Sequence, residues 1–395
     1  MIPVEKALAL VDQYTEKTKN ILTVSLSEAL GATLANDVIS PIHMPPFRQS
    51  AMDGYALGSI EENKFNLVGE VQAGDNSDPV LQKDEAIRIF TGAPVPSTAK
   101  SVIMQEKTKV VAKQLFLDEP AKKDANIRPL AEQIKQGDLA LPKGTFINAA
   151  SIGYLATLGV THVEVYKKPS IAIIATGNEL IKPGQELKHG QIYESNSIML
   201  STALQTFGFK NTTRYKVEDD YDATLTLLKK VLQQHDVILI SGGISVGDYD
   251  FVGKVLRELQ VKEIFYKVKQ KPGKPLYFAK KEHTTIFALP GNPASSLSCF
   301  YIYVLPALQK ISGVADYHLK RNSSISNSTY SKKGVRAEFL KATLKDGKAT
   351  ILDGQASSML RSFAIANVLL YIPEEISEIN PGDTVQIIPI NQMMH

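Results

Sequence analysis

The chain contains a single cysteine among its 395 residues. Cys299 sits in Leu297-Ser298-Cys299-Phe300, which excludes an intramolecular disulfide and a cysteine-based zinc site and fits a reducing compartment. No stretch reaches the roughly 18 apolar residues of a membrane span, and the opening MIPVEKALALVDQYTEK meets Glu5 and Asp12 before any long apolar run develops. A cytoplasmic protein with no membrane partner is expected, in which the sequons at Asn211, Asn322 and Asn327 have no use. An excess of one charge is also lacking: 44 Lys and Arg stand against 41 Asp and Glu, and a net +3 is too even to predict a nucleic-acid partner. The seven histidines are scattered, and no Ser/His/Asp nucleophile elbow, Walker loop, Rossmann fingerprint or repeat of fixed period is present. What is there is a globular composition, 44% hydrophobic and 22% charged, over a length that implies about two to three domains.

Hydrophobic spacing divides the chain. Val4, Ala7, Leu8 and Val11 recur at helical intervals, and Ser25-Leu26-Ser27-Glu28 is a capping box, so residues 1–45 read as helical. Between 46 and 139, short β-prone runs such as Phe65–Val68 and Lys109–Val111 alternate with Gly, Pro and Asp, as in a small β-rich module. Helical texture returns around 140–168, which makes the β-rich module an insertion. From 169 to 320, strands at Ile171–Ile174, Arg214–Val217, Val237–Ile240 and Thr285–Leu289 alternate with helices, the pattern of a doubly wound, mostly parallel α/β sheet that binds ligands at the carboxyl ends of its strands. Arg321–Ser331 is rich in Asn and Ser and reads as a linker. The remainder of 321–395 has only β texture, expected to form a small barrel or sandwich.

The richest motif is Ser241-Gly242-Gly243-Ile244-Ser245-Val246-Gly247-Asp248-Tyr249-Asp250, which follows one apolar strand and precedes an amphipathic run. A strand, glycine loop and helix in this order make an anion cradle, and Asp248 and Asp250 fit it if a divalent cation bridges them to a phosphate. A tight turn with Asp250 as N-cap is the alternative. Lys262–Lys281 holds seven lysines against the single acid Glu263. Lys267, Lys269 and Lys271 alternate as on one strand face, and Lys271-Pro272-Gly273-Lys274-Pro275 is a stiffened turn with a lysine near each end. Such a pair suits a tetrahedral dianion, against the alternative of a solvated, lysine-guarded edge. Leu289-Pro290-Gly291-Asn292-Pro293-Ala294-Ser295 opens a helix and offers more donors, or is an ordinary helix start. Glu179, in Ala175-Thr176-Gly177-Asn178-Glu179-Leu180, ends the first α/β strand, while Glu218-Asp219-Asp220 either joins the site or caps the next helix. Pro45–Ala56, dense in ring, charge and turn residues, reads as a site loop.

SAMDGYA at 50–56, TGAPVP at 91–96, ATGNEL at 175–180, SGGISVGDYDF at 241–251, KPGKP at 271–275 and LPGNPAS at 289–295 together resemble the MoeA family of molybdopterin molybdenumtransferases, to which the gephyrin E domain belongs. The resemblance covers nearly the whole chain. It implies that 169–320 is a MogA-like molybdopterin-binding domain, that 1–45 with 140–168 forms a dimerisation domain, and that a homodimer shares its clefts. It implies insertion of molybdenum from molybdate into adenylylated molybdopterin, with Mg²⁺-dependent release of AMP. Asp53, Thr91, Glu179, Asp219, Asp250, Lys267 and Lys271 match the family's catalytic residues, and Glu179, Asp219 and Asp250 its metal ligands. Gly242, Gly243, Ser245, Lys274, Pro290 and Pro293 match substrate-binding positions, while Ser295, Arg336 and Ser357 resemble molybdate-site residues. A molybdopterin adenylyltransferase and molybdoenzyme acceptors are the implied partners. Adenylyltransferase activity and a gephyrin-like scaffold are the rival readings. Where the family commonly has Arg-x-x-Gly-Glu-Asp, this chain has Arg128-Pro129-Leu130-Ala131-Glu132-Gln133, so any role needing negative charge at 133 is in question.

Overall fold

A computed structural model describes residues 1–244 and 251–390. Its framework is three six-stranded sheets, one each in the inserted β-rich module, the α/β region and the C-terminal region. The α/β sheet runs in the order Thr212–Val217, Ile171–Thr176, Val237–Ser241, Thr284–Leu289, Tyr277–Lys281, Lys262–Tyr266. All of these strands are parallel except Tyr277–Lys281, which runs antiparallel to both neighbours. Alternation along the strands explains the double winding. Ile171, Ile173, Leu239 and Phe287 face one core with the helix Asn196–Thr206, while Ala172, Ile174, Ile238, Ile240 and Ile286 face a second core under Tyr221–Gln234 and Phe251–Glu258.

In the C-terminal region, Asn322–Ser326, Ala337–Lys345, Lys348–Ile351, Val368–Ile372 and Thr384–Pro389 close on themselves, because Ala337–Lys345 pairs with both Lys348–Ile351 and Val368–Ile372. This is a five-stranded barrel, and closure removes its exposed edges. The parallel pair Gln270–Lys271 with Ala337–Glu338 stitches the lysine turn of the α/β region directly to a barrel strand.

Three local expectations change. Helix in the first 45 residues is confined to Val4–Tyr14 and the single 3₁₀ turn Leu26–Glu28. The β-branched run Ile21–Ser25 instead pairs antiparallel with His162–Tyr166, which is how the segment around 160 rejoins the N-terminal part. The capping box forms as read, with both of its reciprocal bonds. Arg321–Ser331 is no linker, since Asn322–Ser326 is a barrel strand and Tyr330–Ser331 pairs with Glu378–Ile379. The last 60 residues also include a short helix, Arg361–Ile365. No helix among the described residues is long and apolar enough to cross a membrane.

Candidate functional site

The carboxyl ends of the parallel strands bring the glycine loop and the LPGN loop together. The Gly242 N–H donates to the Leu289 carbonyl at 3.3 Å, and the Asn196 amide donates to Ser241 Oγ at 2.8 Å and to the Gly291 carbonyl at 2.7 Å. Gly242 and Gly243 adopt φ of +96° and +66°, and a Cβ at Gly242 would lie 2.8 Å from Thr176 Oγ1. Only glycine fits a left-handed backbone pressed this closely on its neighbour. The buried Thr176 hydroxyl has no hydrogen-bond partner among the described residues, so a polar group remains available beneath the loop. Ser245, Asp248 and Asp250 lie outside the described residues.

Glu179 and Asp219 stand on adjoining loops at the same end of the sheet. The Asp219 N–H donates to Asn178 Oδ1 at 3.0 Å, and the Asn178 N–H donates back to the Asp219 carboxylate at 3.4 Å. The Glu179 carboxylate folds over Gly177, where an added Cβ would meet it at 2.6 Å. Asp220, the next acid, is occupied as a helix N-cap and accepts from the Ala223 N–H at 2.8 Å. The acid cluster thus divides between Asp220, a helix cap, and Asp219, which bonds the Asn178 loop. No group of three or more metal-ligating side chains forms among the described residues. Two carboxylates are nonetheless a donor set that suits Mg²⁺, which completes its shell with phosphate oxygens and water.

The lysine turn is fixed from below. Gly273 (φ +87°) sits so close to the helix Pro293–Cys299 that a Cβ would lie 2.6 Å from Cys299 Sγ. Gln270 is fully buried; its amide donates to the Pro272 carbonyl at 3.0 Å and its oxygen accepts from the Tyr303 hydroxyl. Burial pushes the Cys299 thiol far up, leaving it an unreactive packing group. Lys271 lies 3.3 Å from Glu338, whose side chain is 4% exposed and also accepts from Tyr330 at 2.6 Å. Neither Lys267 nor Lys274 forms an ion pair among the described residues; Lys267 instead lies over the Tyr266 ring, 4.6 Å from its centroid. The alternating strand face expected for Lys267, Lys269 and Lys271 does not form. The strand ends at Tyr266, and Lys267 turns to φ +68° so that its backbone can bond both Leu276 and Ile2.

The barrel reaches the same place. Arg336 donates to the Gln270 carbonyl at 3.2 Å, Asn292 Nδ2 donates to Ser357 Oγ at 2.9 Å, and the Ser295 N–H donates to the Ser357 carbonyl at 3.2 Å. Pro293 opens the helix on which Ser295 stands, with Pro290 in the loop before it. Two sets of contacts thus cross between the α/β region and the barrel: Lys271 and Gln270 with Glu338 and Arg336, and Asn292 and Ser295 with Ser357.

Asp53 and Thr91 form a separate pair. The Thr91 N–H and hydroxyl donate to the Asp53 carboxylate at 2.7 and 2.8 Å, and these bonds hold the Asp53 pKa below its usual value. No hydrogen bond or ion pair among the described residues joins this pair to Glu179, Asp219 or the seam. The departing segment packs beside the Pro45–Ala56 loop through its backbone, with Ala131 N–H donating to Pro45 and Gln133 N–H to Met44. Ala131 takes φ +61°, a left-handed turn that glycine would adopt without the Cβ penalty. Among the described residues, Gln133 forms a hydrogen bond only through its peptide N–H.

Asn196 is a site residue that no spacing indicated, because its partners lie 45 and 95 residues away.

The chain matches three family descriptions in order: "MoeA N-terminal region (domain I and II)" over residues 2–159, "Probable molybdopterin binding domain" over 172–310, and "MoeA C-terminal region (domain IV)" over 326–390. It is 33% identical to a Staphylococcus epidermidis molybdopterin molybdenumtransferase, covering 98% of this chain and 95% of that one. A Staphylococcus aureus protein of the same name is 30% identical with the same coverage. Among solved structures, a molybdopterin biosynthesis MoeA protein from Pyrococcus horikoshii superposes with a TM-score of 0.86 at 29% identity, covering 98% of this chain and all of that one.

Proposed function

Because this chain belongs to the MoeA family of molybdopterin molybdenumtransferases, we propose that its α/β–barrel seam inserts molybdenum from molybdate into adenylylated molybdopterin with release of AMP. Its role is molybdenum cofactor biosynthesis. The observation that supports the finer reading is that the contacts between the α/β region and the barrel carry Ser295 with Ser357 on one side and Lys271 and Arg336 on the other, so that hydroxyl, ammonium and guanidinium groups line the same seam.

The geometry supports a division of labour among these residues. Gly242 and Gly243 keep the backbone low at the strand ends, so peptide donors approach the pterin phosphate. Lys271, Lys274, Arg336, Ser295 and Ser357 bind the molybdate oxyanion, with Arg336 supplying a planar fork and the lysines mobile charge. Lys267, whose N–H bonds Leu276 just past that turn, adds positive potential, and Pro290 and Pro293 stiffen the facing loop. Glu179 and Asp219, with Asp250, would hold Mg²⁺, which would supply positive charge to neutralise the nucleotide phosphate oxygens. Asp53 and Thr91, which no hydrogen bond or ion pair among the described residues joins to this cluster, complete the cleft of a second copy in a cytoplasmic homodimer. A molybdopterin adenylyltransferase supplies the substrate and molybdoenzymes accept the product.

Purified protein given adenylylated molybdopterin, molybdate and Mg²⁺ should release AMP and molybdenum cofactor in equal amounts. AMP release that ignores molybdate and yields no cofactor would overturn the reading.

A further inference from the structure

Lys341 is the most completely buried cation among the described residues, 1% exposed in the middle of the barrel strand Ala337–Lys345. Strand alternation puts it on the face of Ala337 and Phe339, which pack into the core shared with the α/β sheet. It has no ion pair among the described residues. Its ammonium donates instead to three carbonyls of one loop, Gly354 at 2.7 Å, Met359 at 3.1 Å and Ala356 at 3.3 Å, and lies 5.9 Å from the Phe363 ring centroid. The Lys341 backbone binds the same loop, with its N–H donating to the Gln355 side chain and its carbonyl accepting from it. A buried charge without a counter-ion is costly where a methionine would fill the space. Three converging carbonyls are the local compensation, and Ser357 is the residue that the loop presents to Asn292 and Ser295.

We propose that Lys341 is a positioning residue for the oxyanion site, fastening the Gly354–Met359 loop from behind so that Ser357 is held against the Ser295 turn. The proposal rests on the assignment of Ser357 to molybdate binding. The buried charge also adds positive potential behind the loop that carries Ser357. This explains why a lysine stands on a strand face whose neighbours, Ala337 and Phe339, are apolar.

The test uses full-length Lys341→Met and Lys341→Arg, with amide hydrogen exchange along the chain and calorimetric titration with molybdate. In Lys341→Met, exchange at Gly354–Met359 should quicken at least tenfold while other barrel strands keep their protection, and half-saturation by molybdate should rise about tenfold. Lys341→Arg, which keeps charge and donors, should recover most of both. Unchanged exchange in the loop, or equal loss of protection throughout the barrel, overturns the positioning role. If Lys341→Met does not fold, the same comparison is made with Lys341→Gln. Faster loop exchange in a protein whose wild type binds no molybdate would leave Lys341 as the loop's fastener and overturn the molybdate assignment instead.

Discussion

Arg336 donates to the carbonyl of Gln270 at 3.2 Å, although Glu338 lies only two residues away on the same chain. Glu338 is already engaged by Lys271 and Tyr330, so the guanidinium is held by a backbone oxygen and keeps its full charge for another partner. Arg336→Lys should preserve that charge and lose the fork that binds two adjacent oxygens of a tetrahedral dianion. The molybdate requirement is expected to rise about tenfold, equivalent to roughly 1.4 kcal/mol, with affinity for adenylylated molybdopterin unchanged. Molybdate titration of the variant decides it, and an unaltered half-saturation point would remove Arg336 from the oxyanion site.

Gly242 makes a sharper prediction about the phosphate side. A methyl group there would sit 2.8 Å from Thr176 Oγ1 and 3.0 Å from the Thr176 carbonyl, at a φ of +96°. The backbone must shift to relieve both, at about 1–3 kcal/mol. Gly242→Ala should therefore lower the unfolding midpoint and weaken adenylylated-pterin binding, while molybdate binding at the barrel seam persists. Equal loss of both ligands would mean that the two halves of the site are not separable in this way.

The isolation of Asp53 and Thr91 from Glu179 and Asp219 predicts complementation. If each cleft takes Asp53 from one subunit and Glu179 from the other, a mixed dimer of Asp53→Ala and Glu179→Ala chains has one intact cleft. Random exchange of the two inactive variants should then restore about a quarter of wild-type activity in a symmetric dimer. Subunit exchange is followed by differently tagged chains, and silence despite demonstrated exchange would count against the shared cleft.

What was legible in the sequence had a period or a backbone requirement. The runs Ile171–Ile174 and Val237–Ile240 are apolar on both faces because both faces are covered, and the glycines at 242 and 243 announce a loop that no other residue could close. Asn322–Ser326 was illegible because its buried positions are Ser324 and Ser326, which bring no hydrophobic alternation to a barrel strand. Asn196 and Lys341 act through contacts made only after folding. A lysine in an alternating strand reads as solvent-facing until its surroundings are known, and an asparagine bonded to Gly291 across 95 residues leaves no local trace.

Lys341 also sets a pH dependence whose sign can be worked out. Burial lowers its pKa from the ordinary lysine value of 10.5 to about 8 in the folded protein. Below about pH 8 both folded and unfolded chains carry the proton, and the burial penalty is constant. Between about 8 and 10.5 the unfolded chain binds more protons than the folded one, so raising the pH through this window stabilises the wild type. Tyrosines such as Tyr371, pushed up to about 12, titrate in or above the same range, which makes absolute stability a poor readout. The difference between wild type and Lys341→Met cancels them, since both proteins retain those groups. That difference should be flat from pH 6 to about 8 and then move in favour of the wild type up to about 10.5. Denaturant unfolding of both proteins across this range provides the measurement. A difference that stays flat throughout would mean that the buried ammonium keeps an ordinary pKa, and that the three loop carbonyls fully replace the water it has lost.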